Sequence, residues 1–180
     1  MNMRSVRKPR VEVVHVSNGK TAVQSERYVF LSPEWIREVA QAVELARRSN
    51  QYFKHLSTGL SFSVAYRIHD IPRELGLWYD GANQAVIFSR FHRGAVRQLD
   101  VGRELPDAKI ELMVVSDYKA AEQLFLGKSS PMSSFLNGHL KVEPVNGFRR
   151  WPKLAAKSVL AVGMVLKSAR NVPTVFAHKV

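Results

Sequence analysis

The chain has no cysteine among its 180 residues. Disulfide frameworks, thiolate zinc sites, cysteine nucleophiles and cysteine-held iron–sulfur clusters are therefore excluded. Acidic residues are scarce at both ends. Residues 1–27 carry six Lys/Arg against two Asp/Glu, and residues 144–180 carry seven against none. The intervening residues hold fourteen basic and thirteen acidic side chains, so the net charge of +12 sits on the flanks of a nearly neutral body. Such flanks attract polyanions: nucleic acid, anionic lipid or an acidic partner. No apolar run is long enough to span a bilayer. The most apolar stretch, residues 154–166, would extend about 20 Å as a helix against a hydrocarbon core of about 30 Å. Residues 1–10 lack the apolar core of a secretory signal, so a cytoplasmic protein is expected. Apolar residues make up 46% of the chain and charged ones 23%, which suits a single globular domain with appendages.

Motifs for chemistry are also missing. Gly127-Lys128-Ser129 ends like a phosphate-binding loop, but Glu122 stands where that loop needs its first glycine. The six histidines, at 15, 55, 69, 92, 139 and 178, lie at least 14 residues apart, so no two share a helical turn and no His-Glu-x-x-His occurs. There is no G-x-S-x-G elbow and no G-x-G-x-x-G loop. His69-Asp70 and Asp80 read as surface-loop residues rather than an acid/base pair. The expectation is a protein that is not an enzyme and needs neither metal nor cofactor.

Local signals define most elements. Val11–Val16 and Thr21–Val23 read as strands joined at Asn18-Gly19, a hairpin turn. Ser32-Pro33-Glu34 opens a helix, with a hydroxyl cap, proline at the first position and an acid at the positive end of the dipole. Ile36, Val39, Ala40, Val43 and Ala46 continue it at helical spacing to about residue 49. Residues 52–56 add a short helical turn. From Leu60 the period is two, with Leu60, Phe62, Val64, Tyr66 and Ile68 on one face, predicting a strand with one buried side. Leu75–Tyr79 and Gln84–Phe91 read as two further strands of an antiparallel meander, joined across Asp80–Asn83. Residues 92–109 read as a polar connection to a fourth strand, Lys109–Val115. Asp117 caps a helix ending at Gly127, Pro131 starts a helical turn, His139–Glu143 is a fifth strand, and Pro152 opens a last helix to about Asn171. The class is α+β, with a five-stranded, mostly antiparallel sheet covered by helices on one face. Residues 1–31 form a basic arm and β-hairpin extension, 32–172 the domain, and 173–180 a tail.

The last helix is unusual. From Ser158 to Leu166 it is apolar on every side, where a surface helix would keep a polar face. Its destinations are burial in the core, contact with a partner chain, or contact with an apolar ligand or lipid surface. Arg149, Arg150, Lys153 and Lys157, with Trp151, surround its start and suit an anionic membrane surface.

Residues 107–143 carry an ordered set of parts. Asp107 leads the strand into Ser116-Asp117. A capped helix ends at Gly127-Lys128, a short segment follows from Pro131 to Leu136, and Asn137-Gly138 precedes a strand reading Leu140-Lys141-Val142. This order resembles the C-terminal half of the sterol carrier protein 2 family, and with the preceding strands the resemblance extends over about residues 33–170. It implies a five-stranded sheet with helices on one face enclosing a hydrophobic tunnel. It also implies binding and transfer of a lipid, fatty acyl or sterol-like ligand without covalent catalysis. The sequence departs from that family at Glu143-Pro144-Val145-Asn146-Gly147, where glycine-aspartate is usual, and in residues 11–31, which have no counterpart. Leu124, Phe125, Met132, Phe135 and Leu136 are the expected wall of the tunnel, and Trp151, Leu160 and Met164 its cover.

The first reading is thus a lipid carrier that meets anionic membranes through its basic residues. The second is a non-catalytic assembly or homodimer module built on the apolar helix. Nucleic-acid binding ranks third, because the aromatic residues fall in core elements and no RNA-recognition consensus is present.

Overall fold

Ser32 does what its position predicts: its Oγ accepts from the Trp35 N–H at 3.0 Å, and Pro33 opens helix α1, Pro33–Ser49. The computed structural model describes residues 27–144 and 152–177, with the backbone alone at 144 and 152–156. The expected hairpin at 11–23 lies outside the described residues. α1 buries Trp35, Ile36, Val39 and Val43, and at its far end Glu44 pairs with Arg47 and Arg48 at 2.9 Å. Asn50 then caps α2, Gln51–Ser57.

Five strands form the main sheet: β2 Phe62–His69, β3 Gln84–His92, β4 Ala95–Gly102, β5 Leu112–Asp117 and β6 Leu140–Pro144, in the order β4-β3-β2-β5-β6. β2 and β5 run parallel at the centre, and every other pairing is antiparallel. The α+β class and the five-stranded, mostly antiparallel sheet are as the sequence predicts.

One predicted strand is a helix. Leu75–Tyr79 belongs to α3, Arg73–Gly76, and the 3-10 turn Leu77–Tyr79 that follows it. Pro72 sets the first turn, Asp80 takes the left-handed conformation at φ 54°, and buried Tyr79 donates its hydroxyl to the Leu31 carbonyl. The missing strand is β4, which falls in the residues expected to be a polar connection. Its turn is Arg93-Gly94, both at positive φ, between the paired residues His92 and Ala95, the geometry of a two-residue hairpin. Gly94 is required there: a Cβ would lie 2.6 Å from the Ser57 carbonyl oxygen.

β2 is also buried on both sides rather than one. The Leu105–Ile110 segment passes beneath the sheet, where Ile110 joins Ala65, Val86 and Phe88 in a second core. Ser63 anchors this segment through hydrogen bonds from its N–H and Oγ to Glu111 at 2.7 and 2.5 Å.

The other face carries α1, α4 (Tyr118–Phe125), and α6 (Pro152–Ala169), with α5 (Pro131–Leu136) beside β6. Asp117 caps α4 by accepting from the Ala120 N–H at 2.7 Å. α6 stops at Ala169, two residues short of the expected end. Arg170 then donates to the Leu124 carbonyl at 2.5 Å, a cation at the C-terminus of α4. β1 (Tyr28–Val29) and β7 (Thr174–Val175) form a two-stranded parallel sheet. This draws residues 28–31 into the core and packs Phe176 and Ala177 against it, residues expected in the extension and tail; Phe30 packs on Trp35, Phe125 and Phe176.

Candidate functional site

The strand register places one row of side chains under the helices. Val64 of β2 lies opposite Ser89 of β3, which lies opposite Leu99 of β4, and Tyr66 lies between Ile87 and Val114 in the next row. These residues alternate at period two and so share one face. They form the floor of a cavity of about 130 Å³. Trp35, Ile36 and Val39 of α1, Ala121 and Phe125 of α4, and Val162, Val165, Leu166 and Ala169 of α6 make the walls and roof. The helical residues fall three and four apart, the spacing that turns one stripe inward.

Among the described residues no charged side chain lines this space, and its polar side-chain oxygens are the hydroxyls of Tyr66 and Ser89. The Tyr66 hydroxyl lies 2.7 Å from Ser116 Oγ. Ser116 donates its own proton to the Asp117 carbonyl at 3.0 Å, which leaves Tyr66 to donate to Ser116. Burial pushes the Tyr66 phenol up to about 12, against that hydrogen bond, so it stays neutral across the physiological range. Ser89 is 5% exposed, and its Oγ has no hydrogen-bond partner among the described residues.

A second concavity, about 380 Å³, runs between α1 and Asn171–Pro173 on the outside, with Glu38 and Gln41 in its wall. It is open to solvent and cannot strip water from an apolar molecule. Among the described residues no group of three His, Asp or Glu is placed to hold a metal, and no helix is long and apolar enough to cross a membrane.

The expected wall and cover residues separate in the structure. Phe125 lines the cavity. Leu124 is buried beside it without lining it, and Met164 packs against the main core. Met132, Phe135 and Leu136 lie on α5, 67%, 48% and 74% exposed, and Leu160 is 51% exposed on the outer face of α6. Lys157 is exposed on α6, while Arg149, Arg150, Trp151 and the Lys153 side chain lie outside the described residues. α6 does roof the cavity, but through Val162, Val165, Leu166 and Ala169. The floor residues Tyr66, Ile87, Ser89 and Leu99 were not among those expected. One signal was in the sequence: Ser89 is a hydroxyl at an inward position between Ile87 and Phe91.

No protein-family model matches the sequence, and no curated protein matches it. Solved structures do. A crystal structure of sterol carrier protein 2 aligns with a TM-score of 0.58 at 17% identity, over 79% of this chain and 98% of its own. The solution structure of a conserved Thermus thermophilus protein, described as possibly a sterol carrier protein, aligns with a TM-score of 0.58 at 17% identity, over 89% of this chain and 97% of its own. With its strand order, parallel central pair and helix-roofed face, the chain has the fold of sterol carrier protein 2.

Proposed function

We propose that the protein is a non-catalytic carrier in the cytoplasm that binds a lipid, fatty acyl or sterol-like molecule beneath α6. The observation that carries this reading is the cavity itself: an unfilled space between the sheet and its helices whose lining is apolar apart from two hydroxyls. Removing apolar surface from water into such a space is favourable by about 25 cal/mol per Å² and needs no reactive residue. The likeness to a protein named for carrying sterols supports the same use. At about 130 Å³ the cavity takes a fragment near the size of a benzene ring, since an engineered apolar cavity of ~150 Å³ binds benzene. A longer cargo is accommodated by displacement of α6.

The exposed side of α6 supports delivery at a membrane. Lys157, Leu160 and Lys167 are spaced three and seven apart on one solvent-facing side, and Val159 is also exposed. An apolar residue among cations suits an anionic bilayer surface, and Arg149, Arg150 and Lys153 add to it in this reading.

Native mass spectrometry of the purified protein should show a co-purifying apolar molecule, and a fluorescent fatty-acid analogue should bind in its absence. Val165→Trp, which fills the cavity from the roof, should abolish uptake while the circular dichroism spectrum is retained. Unchanged uptake in the folded variant would rule out the cavity as the binding site.

The exposed Met132, Phe135 and Leu136 of α5 favour one alternative, a homodimer through that helix. Sedimentation would then give a dimer that Leu136→Glu dissociates.

A further inference from the structure

We infer that the cavity selects a cargo whose inserted end carries one neutral hydrogen-bonding oxygen, a hydroxyl or carbonyl, and that Ser89 is the residue that reads it. This rests on the carrier reading of the cavity. Ser89 is held by β-ladder pairing with Val64 on one side and Leu99 on the other, so its side chain cannot turn away from the helices. Its Oγ is buried and has no hydrogen-bond partner among the described residues, and leaving a buried hydroxyl without a partner is destabilising. Tyr66, the other lining hydroxyl, is engaged with Ser116. Trp35 Nε1 is turned away and donates to Thr174 Oγ1 at 3.0 Å. Tyr66 has committed its proton and can only accept, so among the described lining residues Ser89 Oγ is the hydroxyl free both to donate and to accept.

The chemistry of the partner follows from the remaining walls. With no Lys, Arg or His lining the cavity among the described residues, a carboxylate or phosphate inserted here would lose its hydration without a counter-charge. A pure hydrocarbon would leave Ser89 unsatisfied. An alcohol or ketone oxygen satisfies the serine and brings no charge.

Toluene, benzyl alcohol and benzoate match the size of the cavity and differ in the group at issue. Their affinities for the wild-type protein and for Ser89→Ala, titrated by NMR at neutral pH, test the inference. The expected result is that benzyl alcohol binds and benzoate does not, and that Ser89→Ala weakens benzyl alcohol about tenfold while toluene is unchanged or tightened. Tenfold corresponds to about 1.4 kcal/mol. If toluene and benzyl alcohol both bind and Ser89→Ala leaves their ratio unaltered, the role of Ser89 is overturned while the cavity stands as a ligand site. Benzoate binding as tightly as the alcohol overturns the selection for a neutral group. If none of the three binds the wild-type protein while the fatty-acid analogue is taken up, this inference is overturned and the carrier reading stands; if the analogue is not taken up either, both fail.

Discussion

Glu111 shows how a single carboxylate can hold down a loop. Burial raises its pKa, but hydrogen bonds from Ser63 and Lys109 outweigh that and bring it below the usual 4.5. A folded-state value below the unfolded one means the ionised form stabilises the fold. That contribution is complete well above pH 4.5 and disappears as the pH falls through the lowered value. Glu111→Gln should therefore lower the unfolding free energy by about 1–2 kcal/mol at pH 7. In urea titrations the gap to wild type should narrow as the pH falls below 4.5, and a gap that does not narrow in acid would refute the assignment. Ser89 belongs to the same scale. The apolar run Gln84–Phe91 shows a strand, and the serine within it breaks the inward row. Its isolation, however, depends on which side chains of β2, β4 and α6 surround it, and no spacing within β3 contains that information.

Elements were legible where their ends carry specific chemistry. Ser32-Pro33 and Asp117 each cap the helix predicted from them, because a side-chain oxygen facing free N–H groups is a local requirement. The period-two run in β2 was legible for the same kind of reason. Leu75–Tyr79 was not: five apolar and aromatic residues suit a short buried strand or a short buried helix, and only Pro72 before them and Asp80-Gly81 after them decide for the helix. β4 was hidden because it is an edge strand whose outward residues Arg97, Gln98 and Asp100 are exposed. Its one clear mark, Arg93-Gly94, is testable. Gly94→Ala puts a methyl group against the Ser57 carbonyl at φ 84° and should destabilise the protein by about 2 kcal/mol or more. The loss should appear in the denaturation midpoint, and a midpoint equal to wild type would show that the hairpin relaxes without cost.

At the scale of the molecule, α6 has two faces with different duties in the proposed carrier. Val162 and Val165 look into the cavity, and Lys157 and Leu160 look out. Binding of cargo and binding of membrane should then be separable. Leu160→Glu should leave uptake of the fatty-acid analogue unchanged and weaken attachment to phosphatidylserine-containing vesicles at least severalfold. Wild-type attachment should fall steeply between low and physiological salt. Co-sedimentation with vesicles measures both, and equal attachment of the variant would assign the contact to another surface. The sheet and the helical layer could be anticipated from the order of parts along the chain, and the place of α6 over the cavity only from what the resemblance implies. The lining could not, because it is fixed by the register of β3 and β4 against β2 and by the turn of α6 about its axis. That is why the sequence could not show that the apolar residues of α5 stand outside this lining.

The solitary hydroxyl of Ser89 makes the empty molecule a weaker version of the loaded one. Whatever molecule completes its hydrogen bond binds the native state and not the unfolded chain, and so favours the native state by an amount set by its concentration relative to its dissociation constant; scarcity of cargo therefore enlarges the unfolded fraction. Cells degrade unfolded chains continuously. On the proposed reading, the abundance of this protein would rise and fall with the supply of what it carries, with no dedicated regulator involved.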